Sequence, residues 1–495
     1  MPKERLEPNP SSFVHSLRSV GYSLETAVAD IIDNSISANA DRIDIVFEYK
    51  ADGPIFAIID NGYGMSSDEL KEAMRLGTFS PLFPRKQTDL GRFGLGMKTA
   101  SFAICQRLTV VSSKDVLIGA QWDLEDIQND NAWNLNILSE NDVAIYSFLK
   151  NYPDFGTAVI WEKIDHIIDR DCKEPQKEFE AKILILEKHL SLTFHRYLDG
   201  ERGLSKIKIF INGHQLQGFD PFNLKNPATQ ELEKDEIVFK NSKVTIVPYI
   251  LPHHSKTSAD EYEKYAGDGG YLANQGFYVY RNKRLIIHGS WFRLAIPETL
   301  TKLARVKIDI SNDMDAEWKL DVKKSMARPP SVIRMRLKNI IEKIRDKSAK
   351  TYRARGRRII DQSVTQMWEK HAAQGKVCYK INLDHPLVYK IKENIPSQYE
   401  ADFVMLLDML AKCFPTDLLF HDYAAIPQNI VQNDINVEEL MDVAKKVVHD
   451  WVYNEGIGVN EAVNRLSNIT PFDKYWDAIQ ENLTKEMKSH DGKQF

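Results

Sequence analysis

Asp30 and Asn34 are polar residues four positions apart in a segment with helical periodicity, so both side chains are expected on one helical face. A carboxylate there can accept a proton from an attacking water. An amide oxygen can ligate Mg²⁺, whose other ligands are usually water and substrate phosphates. Asp33 is expected to lie off this face. Taken alone, the pair is more typical of a surface helix on which acidic residues are scattered by chance.

A second segment places an acid before two glycines: Asp60, Gly62, Gly64 and Met65 fall in the run Asp-Asn-Gly-Tyr-Gly-Met. Glycines let the backbone bend sharply and leave room for a flat ligand. Asp60 could accept a hydrogen bond from an exocyclic amine such as that of adenine, and Met65 could pack on a ring. The alternative is a plain hairpin turn, because Asn-Gly is a common turn dipeptide.

A third segment is rich in glycine and precedes a predicted helix. Backbone N–H groups of glycines can approach phosphate oxygens, and a helix N-terminus adds positive potential. The spacing fits neither a P-loop nor the dinucleotide-binding fingerprint. Thr157, which begins a later strand, could reach a base edge, although threonine is also an ordinary strand residue. The residues of the segment are Gly91, Arg92, Phe93, Gly94, Leu95, Gly96, Met97 and Lys98.

The pattern predicts an α/β sandwich around these segments, with helices on one face of a mixed sheet. Ser23 and Thr26 are predicted to cap the first helix of the site. The stretch 77–90 is predicted to be a loop. Helices are predicted at 22–38, 67–76 and 95–105, and strands at 43–49, 55–59, 107–112, 116–122 and 157–164.

A second unit is predicted to begin near residue 205, with strand patterns at 207–213, 243–250, 276–287 and 304–310. Helical periodicity covers 331–373, interrupted at Gly356, and continues from 399 onwards. The chain is therefore predicted to contain domains over 1–200 and 201–345 and a mainly helical region over 346–495, an α+β fold class.

Composition restricts the class of protein. The chain has 495 residues, 43% of them hydrophobic, and a net charge of −5, which gives no general case for nucleic acid. Four cysteines without a Cys-x-x-Cys pair argue against a zinc site or a disulfide framework. The sequence shows neither a bilayer-spanning apolar run nor a signal peptide at its start, so no membrane association and a cytoplasmic location are expected.

Charge varies along the chain. Residues 331–371 contain twelve Lys/Arg against four Asp/Glu, and residues 401–495 contain eight against sixteen. Such blocks are typical of partner surfaces or of solvated helix faces. The basic block could touch a nucleic-acid backbone, and contact of that kind would be sensitive to salt.

Together, the ordered motifs resemble those of the GHKL ATPase superfamily, whose Bergerat fold binds ATP with Mg²⁺. The resemblance covers roughly residues 12–165. It implies that Asn34 ligates Mg²⁺, Asp60 binds the adenine amine, and residues 77–96 form a lid over ATP. Glu is usual in hydrolysing members where this chain has Asp30, so Asp30 is the expected base and hydrolysis is expected to be slow.

The second unit resembles the ribosomal protein S5-like transducer domain of the gyrase, MutL and MORC branch, in which one lysine reaches the γ-phosphate. Lys324 is the candidate for that role, with Lys323 as second choice, and both could instead be surface lysines. The segment 276–285 resembles a MORC-type strand pair.

Among the branches, the chain is most similar to compact prokaryotic MORC-like and MutL-like ATPases. This resemblance implies an ATP-gated homodimeric clamp that acts on duplex DNA, or with a nuclease or helicase partner in genome (antiviral) defence. Two alternatives remain open: a protein-remodelling chaperone of the heat-shock type, and a nucleotide sensor that does not hydrolyse ATP.

Overall fold

The structure is a computed structural model. It describes residues 8–50, 53–77, 96–168, 171–240, 242–319, 327–359, 364–373, 376–416, 418–419, 436–480 and 483. The chain divides into two compact units, residues 1–344 and 345–495, each taken here by itself.

The first unit contains an eight-stranded mixed sheet in the order β5-β4-β3-β6-β2-β1-β7-β8. Neighbouring strands are antiparallel except for β1 and β7, which are parallel. The strands are β1 (Arg42–Lys50), β2 (Gly53–Asp60), β3 (Cys105–Ser113), β4 (Leu117–Asp123), β5 (Asn136–Leu138), β6 (Thr157–Ile164), β7 (Lys208–Ile211) and β8 (His214–Gln215).

Helices pack on this sheet around a large apolar core. Ser23 and Thr26 form the predicted capping box at the start of α2, which fixes where that helix begins. Nine α2 side chains are buried, and α2 packs against α4. The helices are α1 (Pro10–Arg18), α2 (Leu24–Ser37), α3 (Ser67–Met74), α4 (Gly96–Ile104), α5 (Leu124–Asp130), α6 (Glu140–Val143), α7 (Pro175–Thr193) and α8 (His195–Asp199).

A second sheet completes the first unit, with the order β10-β11-β14-β12-β13 and β9 paired to β11. The strand pair expected at 276–285 is confirmed as the hairpin of β12 and β13. Asn282 and Lys283 turn this hairpin with φ of 48° and 70°. The elements are β9 (Gln230–Glu231), β10 (Asp235–Phe239), β11 (Ser242–Ile250), α9 (Ala259–Ala266), α10 (Gly270–Ala273), β12 (Gly276–Arg281), β13 (Arg284–Ser290) and β14 (Ala304–Ile310).

The rest of the described chain is mainly helical. A long helix, α11 (Ser331–Ile359), runs from the end of the first unit into the second. The second unit then has a two-stranded hairpin followed by helices with their own small apolar core. Its elements are β15 (Trp368–Ala373), β16 (Lys376–Ile381), α12 (Pro386–Asn394), α13 (Ser397–Lys412), α14 (Val437–Tyr453) and α15 (Val459–Leu466).

The predicted α+β class is confirmed, and three local predictions are corrected. The strand near 207–213 does not open the second sheet, because β7 pairs with β1 in the first. Helix α11 passes through Gly356, since one glycine costs a helix only about 1 kcal/mol. Residues 368–373 form a strand where helical periodicity was expected. The division into 1–200 and 201–345 stays a prediction.

In the described part of the chain, no helix combines the length and the apolar character needed to cross a bilayer.

Candidate nucleotide site

Asp60 ends β2 with its carboxylate held from two sides. It is 7% exposed. The Ser35 hydroxyl on α2 donates to Oδ2 at 2.7 Å, and the Gly62 N–H donates to Oδ1 at 2.9 Å. Burial raises the pKa of Asp60, and the hydrogen bonds from Ser35, Gly62 and Thr157 oppose that rise. The carboxylate is therefore fixed in direction and has capacity to accept a further hydrogen bond.

The turn after Asp60 is packed too closely for side chains. A Cβ on Gly156 would lie 1.9 Å from the Gly62 carbonyl oxygen, and Gly64 has a φ of +66°. Thr157 lies opposite Asp60 in the β2–β6 register. The Met65 N–H donates to the Ser112 hydroxyl at 2.7 Å. The glycines thus let two backbone segments meet beside the buried acid.

Asp30 lies on α2, the helix that also carries Ser35, and is buried. Its side chain is 5% exposed, and the Tyr22 hydroxyl donates to Oδ2 at 3.0 Å. Gly96, the first residue of α4, lies beside it, because a Cβ built there would stand 3.8 Å from the same oxygen. Asn34 lies one turn further along α2 and is exposed. The structure thus brings Asp30 next to the last glycine of the glycine-rich segment.

Asp33 and Arg284 are functional candidates that the sequence reasoning missed. Asp33 was expected to lie off the face of Asp30, but it is buried close to that residue. Its side chain is 1% exposed, and its Oδ2 lies 3.3 Å from Nε of Arg284 on β13. Arg284 also lies 3.9 Å from Oδ1 of Asp30. An acid inside an apolar helical run should have signalled a buried partner, but no sequence pattern indicates which basic residue supplies it.

Lys98 forms hydrogen bonds to backbone carbonyls that the sequence did not suggest. Its ammonium donates to the carbonyl oxygens of Ala73 and Arg75, at 2.8 and 2.7 Å, at the end of α3. Burial lowers its pKa to about 8. Its predicted contact with phosphate stays a prediction, and the side chain would have to leave these carbonyls to make it.

Several predicted site residues lie outside the described residues. They are Gly91, Arg92, Phe93, Gly94 and Leu95 of the glycine-rich segment, and Lys323 and Lys324 of the second unit predicted from the sequence. Of the remaining glycine-rich residues, Met97 is partly buried against the core of the first sheet.

The first sheet and its helices match a known family. The family model described as histidine kinase-, DNA gyrase B- and HSP90-like ATPase matches residues 22–153. This segment contains Asp30, Asn34, Asp60 and the glycine-rich residues, so the resemblance implied by the motifs is confirmed.

Several known proteins are similar in sequence to short stretches of this chain. The chain is 30% identical over 106 residues to ATPase MORC2B of Mus musculus and 27% identical over 106 residues to ATPase MORC2 of Homo sapiens, which is 21% of this chain and 10% of each relative. It is 26% identical over 230 residues to structural maintenance of chromosomes flexible hinge domain-containing protein 1 of Mus musculus, covering 36% of this chain and 11% of that protein. The matched parts thus span about a tenth of these relatives.

Proposed function

We propose, because residues 22–153 match the GHKL-type ATPase family, that the protein is a molecular switch that binds ATP with Mg²⁺ and hydrolyses it slowly. ATP lies between α2 and the glycine-rich segment in this proposal. The observation that carries it is the buried carboxylate of Asp60, fixed by Ser35 and Gly62 beside two backbone segments that only glycines allow to meet.

Asp60 binds the adenine end. An ionised carboxylate is a strong acceptor for an exocyclic amine, and its three donors, Ser35, Gly62 and Thr157, leave lone-pair capacity for one more. Thr157, in register with Asp60, and Met65, at the end of the turn, complete the base-binding surface. Because the turn is closed by backbone contacts, its shape requires little rearrangement when the base binds.

Asp30 serves the phosphate end as general base. Tyr22 orients its carboxylate, and Gly96 lies beside it at the N-terminus of α4, where backbone N–H groups attract phosphate oxygens. The exposed amide of Asn34 would hold Mg²⁺, which neutralises charge on the phosphates. In this proposal the lid over ATP includes Gly91, Arg92 and Gly94. Lys98 adds positive charge near the phosphates, and Lys324 reaches the γ-phosphate. The resemblance supports these roles.

Calorimetry of ATP binding with Mg²⁺, followed by a turnover assay, tests the proposal. Asp60→Asn should weaken binding, because an amide cannot accept on both of its polar atoms. Asp44→Asn is the matched control: Asp44 is also buried on the first sheet, but it pairs with Arg42 at 2.6 Å instead of facing the site. No heat of ATP binding at near-millimolar nucleotide would reject the proposal. Binding without turnover would leave a nucleotide sensor.

We also propose that ATP closes the protein as a homodimeric clamp, on the strength of the family resemblance. The test is the mass in solution, by light scattering, with a non-hydrolysable ATP analogue and with ADP. A dimer that forms only with the analogue supports the clamp. The same mass in both states contradicts ATP-gated closure.

Duplex DNA is the proposed object of the clamp. Helix α11 carries eleven Lys/Arg against two Asp/Glu, and one relative carries chromosomes in its name. Replacing the exposed Arg334, Arg336 and Lys338 with Gln should weaken DNA binding and flatten its salt dependence.

A triple Gln variant of the exposed Lys173, Lys177 and Lys188 is the control for the DNA test. Equal loss of DNA binding in both triple variants would show that binding depends on the overall positive charge and not on a surface of α11. A nuclease or helicase partner in genome defence is proposed on the resemblance alone. Suppression of client aggregation without any effect of DNA would favour the chaperone alternative.

A further inference from the structure

A side chain from the second sheet enters the helix that carries the proposed catalytic acid. Arg284, the first residue of β13, is 6% exposed and lies 3.3 Å from Asp33 and 3.9 Å from Asp30. Both acids belong to α2, which also carries the Ser35 hydroxyl bound to Asp60. One helix therefore joins the acid beside the phosphates, the acid beside the base, and the second sheet.

The charges at this junction demand a partner. Asp30 and Asp33 are both buried and lie three residues apart on α2. Burying a charged group is costly unless it is paired or hydrogen-bonded. Arg284 supplies a cation that cannot lose its proton in a protein. Removing it would leave two acids of like charge close together inside the fold without the cation that lies beside both.

Arg284 is itself fixed by its surroundings. The Tyr197 hydroxyl on α8 donates to the carbonyl oxygen of Asn282 at 2.6 Å, which ties the β12–β13 turn to the helical layer of the first sheet. One Arg284 amino group donates to the carbonyl oxygen of Leu285 at 3.1 Å, and the guanidinium lies 5.9 Å from the ring centre of Phe194. The cation thus presents a preset position to α2 instead of a mobile surface charge.

We propose that Arg284 is a positioning residue for ATP hydrolysis, holding α2 and its Asp30 carboxylate in register with the second sheet. The inference rests on the proposed ATPase function and adds to it a specific link between the two sheets. A shift of a base by about 1 Å can cost 10²-fold in rate without abolishing substrate binding. Arg284 therefore acts mainly on kcat, through Asp33 and Asp30, while ATP itself contacts other residues.

The test compares Arg284→Gln with Arg284→Lys in the full chain by steady-state kinetics. Arg284→Gln should lower kcat by about 10–100-fold and change KM for ATP by less than about threefold. Arg284→Lys should recover part of kcat, because it restores the charge without the planar fork. Equal kcat for wild type and Arg284→Gln would overturn the inference, and so would a loss confined to KM.

Arg281→Gln is the matched control for folding. Arg281 ends the other strand of the same hairpin and forms a buried ion pair with Asp315, at 2.7 and 2.8 Å, within the second unit predicted from the sequence. Its loss should lower the unfolding midpoint as much as Arg284→Gln does while keeping a higher kcat. If both variants lose kcat in equal proportion, the effect is general destabilisation and the inference is wrong.

A double-mutant cycle tests the link without nucleotide. Arg284→Gln and Asp33→Asn should be strongly non-additive in the unfolding midpoint of the full chain, with the double variant less destabilised than the sum of the single changes. Additive midpoints would overturn the inference whatever the turnover. Wild-type protein that fails to bind ATP would instead reject the proposed function, and the cycle would still report on the link between the sheets.

Discussion

Helices α2 and α13 have similar lengths and similar apolar content, yet they differ completely in burial. Nine of the 14 residues of α2 are buried, two of them aspartates. None of the 16 residues of α13 is buried, and Met405, Leu406, Met409 and Leu410 are each more than half exposed. The contrast shows that apolar periodicity determines a helix, while its burial depends on what the rest of the fold places beside it.

The surroundings of the two helices differ accordingly. In α2, Asp30 accepts a hydrogen bond from Tyr22, just before the helix, and Asp33 lies 3.3 Å from Arg284, which comes from a distant part of the chain. One face of α13 lines an open groove of about 760 Å³, whose other wall includes Lys380 and Ile381 of β16. Its Asp408 pairs only with Lys412 of the same helix in the described residues, at 2.6 Å. The buried acids of α2 are therefore expected to carry function, and the half-exposed Asp408 of α13 is not.

The largest expected effect separates the acids of the two helices. Asp30→Asn removes the proposed base and should lower ATP turnover by about 10²–10⁴-fold while leaving ATP affinity nearly unchanged. Asp408→Asn removes a half-exposed acid and should leave turnover at the wild-type level. Steady-state phosphate release and calorimetry measure both. An Asp30→Asn variant that turns over at the wild-type rate would show that Asp30 is not the base.

Truncation of apolar side chains should sharpen the same contrast in stability. Ile32 is fully buried in α2, so Ile32→Ala should lower the free energy of unfolding by about 2–5 kcal/mol. Leu406 is 54% exposed in α13, so Leu406→Ala should change it by less than about 0.5 kcal/mol. Urea denaturation followed by circular dichroism gives both values. A costly Leu406→Ala change would mean that α13 is covered in solution.

Hydroxyl removal should give a smaller effect of the same sign. Ser35→Ala deletes the donor to Asp60 and leaves a buried carboxylate short of one hydrogen bond, at a cost of about 1–3 kcal/mol. Ser397→Ala, at the exposed start of α13, should cost less than about 0.5 kcal/mol. The same denaturation experiment compares them, and equal costs would remove the case for a built Asp60 site.

The smallest expected effect is a pH dependence that belongs to Asp60. Burial raises its pKa above the ordinary 3.8, so the folded state binds a proton that the unfolded state has released. Without ATP, this group should make the free energy of unfolding fall as pH rises from about 3.8 through the raised pKa. ATP affinity should change in the opposite direction, because the ionised form accepts from adenine. Subtracting the pH profile of Asp60→Asn removes the titration of ATP itself, and identical profiles would contradict the assignment.

Local patterns in the sequence were sufficient for the elements around the site. The capping residues Ser23 and Thr26 and the apolar steps of α2 placed that helix to within two residues at each end. The motif acids and glycines also indicated the family, which the match over residues 22–153 confirms. These features are decided by neighbours in the chain, which a single sequence displays directly.

Prediction failed where a partner distant in the chain decided the outcome. β7 follows α8 but pairs with β1, so its sheet could not be read from its neighbours. The hairpin of β15 and β16 is a local element instead, and it was missed because the helical pattern of 331–373 was extended across β15. The hydrogen bonds from Lys98 to the carbonyl oxygens of Ala73 and Arg75 likewise join residues that are more than twenty positions apart, and no local pattern shows that they meet.

The sequence by itself determined which residues could hold a nucleotide and most of the helices and strands that carry them, because spacing, capping and glycine content act locally. Only the tertiary structure decided that Asp33 is buried, that Arg284 from another sheet is its partner, and that Ser35 fixes Asp60. Pairing between residues 33 and 284 follows from how two sheets pack, and packing energy depends on shape and charge brought together by the whole fold.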